Sequence, residues 1–387
     1  MQNSILANKP DLTEPRPIAV LPESRSLLSI RFSEALDPSS LALENFSLKP
    51  SIAFVRTFFK DISLTVIHVE LEDTLRRRQT YSLEISNVRD CSGNRASISS
   101  IEFGVPERAD SLDIIVNEIL FNPSTGGVDF VEFRNVSLKF LQLRNWKIAN
   151  DDGEGVTGVK PIMSNNMLLP PNGYVVFTTD PILVELQYPN SIAVNLIKTP
   201  LPSLPDDGGS IAIVDDNGKI VDKLSYSSSW HSAFLKSEEG VSLERIESVA
   251  PTQDSHNWTS ASSRAGFATP GYVNSQQRIG HEFGEVEVVV VPEIFEAGAG
   301  VNDFTEIQYR FDVGGAIANV AILNYQGTVL KTISNNEILG PSGFLRWDGD
   351  RDNGSKAPAG YYIVWFEVFL SNGNVQTFRR RVIVASK

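Results

Sequence analysis

The chain has 387 residues, 41% of them hydrophobic, and a formal net charge of −13. That length suits two to four domains of about 100–200 residues, and the apolar content excludes wholesale disorder. The single cysteine, Cys91, excludes an intrachain disulfide, and the acidic balance argues against nucleic acid, because a phosphate backbone would be repelled on average.

Short alternating segments run through the whole chain, bounded by Gly, Pro, Asn and Asp. After a polar opening through about residue 13, strands are predicted at 27–32, 63–71 and 81–88, with a short helical stretch within 38–46. Around 104–110 a strand gives way to a polar linker. Further strands follow at 114–120, 130–133, 174–178 and 210–214. Asp180-Pro181 reads as a helix N-cap followed by a proline at the first helical position, with about two turns of helix over 182–188. Asp216-Asn217-Gly218 marks a tight hairpin. A second polar boundary falls at 274–284. Beyond it lie strands at 286–291, 305–311, 318–324 and 361–369, then Asn372-Gly373 as another hairpin turn. No apolar stretch approaches the ~20 residues of a membrane helix; the longest, 286–291, is a strand by length and β-branching.

Period-two patterning at this spacing predicts an all-β protein of three consecutive immunoglobulin-like β-sandwich domains. The expected boundaries are a flexible segment over 1–13, then domains at 14–107, 108–276 and 284–387. Polar linkers suggest freedom between modules unless buried interfaces remove it.

The middle block resembles the bacterial branch of the lamin tail domain, an immunoglobulin-like sandwich. The resemblance rests on Asn117-Glu118-Ile119, Asp129-Phe130-Val131-Glu132-Phe133 with Asn135, and Leu143 with Trp146. It continues through 169–174, 204–210, Trp230-His231, 239–245, Asn257-Trp258 and Thr269-Pro270-Gly271-Tyr272. The last block resembles the immunoglobulin-like domain of flagellar hook-capping proteins, on Trp347-Asp348-Gly349, Asp352-Asn353-Gly354 and 358–362. Relatives often open with an acidic, cation-binding loop; here the loop at 296–303 has lost most carboxylates. The first block resembles the immunoglobulin-like domains of bacterial surface-layer proteins, on Arg31-Phe32-Ser33-Glu34, Asp37, Asn45-Phe46, Tyr81, Ile85, Asp90 and Gly93-Asn94. Such strings of modules imply a secreted or cell-surface bacterial protein. The opening Met1-Gln2-Asn3-Ser4 has neither the charged nor the apolar region of a signal peptide, so a leader is expected outside this sequence.

Few residues carry chemistry. No HExxH pair, GxSxG elbow or phosphate-binding loop appears. Cys91 lies in a turn and His68, in the same block, on a strand, which makes a poor nucleophile–base pair. The acidic residues of the middle block, Glu118, Asp129, Glu132, Asp206, Asp207 and Glu244, are more suggestive. Calcium takes six to eight oxygens, and Asp206-Asp207 before Gly208-Gly209 is the candidate cation loop. The plain alternatives are a simple turn there, and strand carboxylates satisfied by backbone or by Arg245 and Arg134. Asp348, Asp350 and Asp352 alternate as in a calcium loop, but the glycine and glutamate positions fit a hairpin better. Trp146, Trp230, Trp258, Trp347 and Trp365 are candidates for sugar stacking, set against ordinary packing. Trp230, with His231, sits in a serine-rich loop and is the ligand-site candidate. The arginine runs 76–78 and 379–381 read as solvated strand or loop edges.

The expected function is therefore a non-catalytic set of surface modules for adhesion, anchoring or spacing, with a cell-surface component, polysaccharide or protein as partner. The competing expectation is the accessory region of a secreted hydrolase or nuclease whose catalytic domain lies elsewhere, with the last module, through 379–381, acting in export or attachment.

Overall fold

A computed structural model describes residues 11–162, 167–278, 286–298, 300, 303–311, 313–371 and 373–385. His281, Asn372, the polar opening before residue 11 and parts of the 274–284 and 296–303 segments lie outside them. Among the described residues, no helix is long and apolar enough to cross a membrane.

The protein is all-β. The first module pairs a four-stranded sheet, in the order Pro17–Ser24, Leu27–Phe32, Val66–Leu71 and Phe54–Phe59, with a three-stranded sheet of Phe46–Lys49, Tyr81–Ile85 and Ser99–Phe103. Inward side chains from both sheets, among them Leu28, Ile30, Ile67, Leu83 and Phe103, form one core. The predicted helical stretch is two 3-10 turns, Pro38–Ser40 and Leu43–Asn45.

The middle module is a sandwich of six and four strands. The larger sheet runs Leu196–Lys198, Tyr174–Thr178, Phe130–Asn135, Ile114–Leu120, Leu243–Arg245 and Trp258–Ser260. The smaller runs Val156–Pro161, Lys147–Asp151, Gly208–Val214 and Ile220–Ser227. Every residue of the Ile114–Leu120 strand is buried, so both of its faces are covered, which suits its near-continuous apolar run around Asn117 and Glu118. The helix forms as predicted over Pro181–Gln187, and Asp180 Oδ1 accepts from the Ile182 and Leu183 amides.

The last module packs Glu287–Val291, Thr305–Arg310 and Ser342–Trp347 against a five-stranded sheet. The latter is ordered Ile294–Phe295, Val375–Val384, Gly360–Phe369, Ala316–Leu323 and Val329–Leu339. Trp347, fully buried, sits edge-on to Phe295 and Tyr362. Its indole N–H donates to the Asp350 carbonyl at 2.9 Å. That bond and the positive φ of Gly349 and Gly354 shape the hairpin read from the sequence.

By contacts the chain divides into two compact units. One gathers the chain up to Asp113 with Asn135–Asn145 and a segment ending at Gly173; the other takes most of the middle module together with the last. In the first unit a small sheet joins Pro106–Glu107, in parallel, to Phe140–Gln142, which pairs onward with Leu168–Leu169. In the second unit, Asn274 and Gln276 are buried rather than solvated. The polar sequence at 274–276 is therefore part of a packed junction and not free linker.

Candidate functional site

Three glutamates of the middle module meet in its interior. Glu118 and Glu244 are direct cross-strand partners, Glu132 lies on the adjoining strand, and all three are fully buried. Like charges so placed repel, so the site needs compensating donors. Glu118 Oε1 accepts from Ser242 Oγ at 2.6 Å and the Thr269 amide at 2.8 Å. Glu132 accepts from Asn117 Nδ2 at 2.6 Å and the Gly271 amide at 2.7 Å. Glu244 Oε2 accepts from Ser275 Oγ and the Gln276 amide, both at 2.8 Å. Burial, and then the Glu244 carboxylate, pushes Glu118 up to about 8. Burial raises Glu132 and Glu244 as well.

The expected arginine partners go elsewhere. Arg134 reaches Gln277 and lies over the Tyr174 ring. Arg245 donates to the Val116 carbonyl and Thr252 Oγ1, and lies 3.9 Å from the buried Asp222. The glutamates instead serve the Thr269–Gln276 segment, which has no strand of its own to satisfy its amides. They act as structural anchors for the closing segment.

Asp206 and Asp207 are exposed and form a turn, in which Gly208 N donates to the Pro205 carbonyl at 3.3 Å. Asp129 lies close enough that burial and the Asp206 charge together raise it to about 6. The structure thus joins Asp206 to Asp129, but carries Glu118, Glu132 and Glu244 into the separate buried cluster.

His231 is buried, with Nδ1 2.9 Å from Ser260 Oγ, and burial holds its imidazole down at about 4. It packs beside Phe121, whose ring stacks on Tyr226. Trp230 is half-buried on a 3-10 turn capped by Ser227. Both line a cleft of about 620 Å³ at the junction of the middle and last modules. Phe234, His256, Ile317 and Phe369 contribute further walls, and the Phe234 and Phe369 rings lie 6.1 Å apart. Sequence reasoning singled out Trp230 and His231 but not Phe234 and Phe369, because the latter pair lies about 135 residues apart, in two different modules.

The remaining carboxylates are engaged locally. Asp348 pairs with Arg346, Asp350 with Lys331, and Asp352 accepts from the Thr332 amide. In the first module, Asp11, Glu34 and Asp90 bring carboxylate oxygens within 4.8 Å of one another. Asp90 there already accepts from the Ser92 and Asn94 amides and from Asn94 Nδ2. Cys91 Sγ contacts the Leu36 carbonyl, while His68 packs against Phe58 and faces Glu23.

Fold and site together define a multi-module, all-β chain of immunoglobulin-like sandwiches. Within it, residues 107–228 match the family model of the lamin tail domain. No curated protein matches the sequence. Among solved structures, the chain is similar to domains 1–6 of the surface layer protein SbsC, with 10% identity over 97% of this chain and 55% of that one, and a TM-score of 0.23. The N-terminal part of the bacterial S-layer protein SbsC gives 14% identity over 42% and 40%, with a TM-score of 0.24. A DUF4876 family protein from Bacteroides thetaiotaomicron gives 12% identity over 54% and 85%, with a TM-score of 0.23. The chain spans roughly half the length of the SbsC structures.

Proposed function

We propose that this chain is a non-catalytic binding and spacing region of a secreted or cell-surface bacterial protein. In this reading the middle and last modules act as one rigid body and seat a ligand in the cleft at their junction. The first module then belongs with the immunoglobulin-like domains of surface-layer proteins, and the last with those of hook-capping proteins.

One observation carries the reading, the clamp made by Gln276. Its side chain is fully buried; Nε2 donates to the Ser260 and Leu339 carbonyls at 3.0 and 3.3 Å, and Oε1 accepts from the Gly315 amide at 2.8 Å. Ser262 Oγ adds a bond to the Ile338 carbonyl, and Arg264 pairs with Glu337. A junction satisfied to this degree favours fixed presentation over a flexible tether. The aromatic lining of the cleft and its Trp230–Phe234 rim favour a ligand with apolar faces, such as a polysaccharide.

The test is a thermal unfolding scan of the whole chain with a panel of soluble polysaccharides. A ligand of the native state raises the midpoint by mass action, by about 2.7 kcal/mol at a hundredfold excess over its dissociation constant. A shift that Trp230→Ala abolishes supports the cleft. A shift that Trp230→Ala leaves intact, or none with any polymer, removes the ligand from the reading.

A further inference from the structure

The five-stranded sheet of the last module has an outer face whose composition does not suit water. Along Gly360–Phe369 the even positions Tyr362, Val364, Phe366 and Val368 enter the core. The odd positions therefore face outward, and they are Tyr361, Ile363, Trp365, Glu367 and Phe369. An antiparallel sheet with one solvated face normally alternates apolar with polar side chains. Here the solvated side keeps an indole, a phenol and an isoleucine.

Register extends the face across the neighbouring strands. Trp365 stands opposite Ala321 on one side and Arg379 on the other. The small side chain of Ala321 leaves the sheet beside the indole low. Ile363 stands between Leu323 and Arg381, and Leu323 in turn pairs with Val329. From the adjoining turn comes Tyr325, 82% exposed. Leu323, Tyr325, Val329, Ile363, Trp365 and Arg379 line a shallow depression of about 580 Å³.

The two ends of this face differ. At one end, Ile317 and Phe369 form a wall of the inter-module cleft, where the middle module's Phe234 faces them. At the other end the half-buried Trp365 floors the shallow depression, with Tyr325 exposed at its edge. The bare part is thus continuous with the surface that packs against the middle module within the chain.

Charge selects the occupant. The chain carries a net charge of −13, yet two exposed guanidiniums, Arg379 and Arg381, border the bare aromatics. Arg380 between them turns to the other side, where its Nε donates to the Val288 carbonyl. Arg381 is held by Glu293 at 2.5 Å. An indole flanked by a guanidinium suits a sugar ring that bears a carboxylate: the apolar C–H face of the pyranose packs on the aromatic plane, and the fork of the arginine takes both carboxylate oxygens.

We propose that the outer sheet face around Trp365, Tyr325 and Arg379 is a binding site for an acidic, uronate-containing polysaccharide, distinct from the Trp230 cleft. It does not depend on the cleft being occupied.

The experiment titrates the whole chain with hexagalacturonate and, in parallel, with the uncharged cellohexaose, read by calorimetry. Saturable binding of hexagalacturonate is expected, at least about tenfold tighter than cellohexaose and weakened by added salt. Trp365→Ala and Arg379→Ala are each expected to lose about tenfold or more in affinity, as is Tyr325→Ala, which sits on an exposed turn and does not threaten folding. Trp230→Ala should bind hexagalacturonate like the wild type, which separates failure of this site from failure of the cleft. Equal binding of the two sugars, or full affinity in both Trp365→Ala and Tyr325→Ala, overturns the proposal. So does light scattering that finds a dimer which Trp365→Ala dissociates, because a second copy then covers the face.

Discussion

Glu118 and Glu244 face each other across two paired strands, and a single hydroxyl bridges them. Thr269 Oγ1 lies 3.2 Å from Glu118 Oε2 and 2.8 Å from Glu244 Oε1. A threonine hydroxyl has one hydrogen and cannot donate to both. One of the two carboxyls must then carry its own proton and donate to Thr269. Burial raises both groups, and the Glu244 charge raises Glu118 further, so the pair holds this proton in common near neutrality.

This proton links stability to pH. In the unfolded chain Glu118 ionises near the ordinary value of about 4.3. Its folded value is higher, so the native state binds more protons than the unfolded state between those limits. The contribution of Glu118 is therefore full below pH about 4.3 and lost as pH rises through about 8. Glu118→Gln keeps the shape and supplies a permanent N–H toward Thr269. Its melting temperature should fall less between pH 5 and pH 8 than that of the wild type, measured by calorimetry. Parallel slopes would contradict the shared proton.

Arg245 and Asp222 form a buried pair with Thr252 between them. Thr252 Oγ1 is 2.9 Å from Arg245 Nη1, and its hydroxyl donates to the Asp222 carboxylate at 2.8 Å. Asp222 also accepts from the Val116 amide at 2.8 Å. Arg245→Met leaves the aspartate buried without its cationic partner, and should cost about 3–5 kcal/mol in denaturant unfolding. The double variant Arg245→Met with Asp222→Asn should recover part of that loss.

Gln276→Ala removes the clamp at the junction and leaves the Gly315 amide and the Leu339 carbonyl without this partner. Each buried group so stranded costs about 1–3 kcal/mol. Scanning calorimetry should show the transition shared by the middle and last modules broaden or split, with the last module's hydrogen exchange rising at Gly315. An unchanged single transition would assign the junction little energy.

Asp129 titrates upward partly because Asp206 faces it. Asp206→Asn should lower the midpoint of Asp129 below about 6, while burial keeps it above the ordinary aspartate range. Carboxyl-carbon NMR titration reads this directly. The same spectra, with millimolar calcium added, test whether the Asp206–Asp207 turn holds a cation.

Much of the fold was legible because it depends on local rules. Alternation marked the strands, Asp180-Pro181 announced the helix through capping, and the glycines after Trp347 announced the hairpin through their φ angles. The lamin-tail resemblance of the middle block rests on the same kind of local signature, and the family model matches within it at 107–228. The candidates Trp230 and His231 stood out as an aromatic–imidazole pair in a loop, and both line the junction cleft.

Side-chain environment was not legible, because it depends on what a second element brings. Glu118, Glu132 and Asp206 look alike as letters in acidic motifs. Pairing in the centre of a six-stranded sheet buries the first two, while a turn exposes the third. Asn274 and Gln276 read as linker by polarity, yet Asn274 satisfies backbone carbonyls inside the middle module and Gln276 one across the junction. Trp347 and Trp365 both lie in strands of the last module, and period two states only that neighbours point opposite ways. The sequence by itself determined that the chain is a run of short strands and, along each strand it marked, which residues share a face. Only the tertiary structure decided which faces are covered, since burial belongs to a pair of surfaces and no single strand encodes its partner.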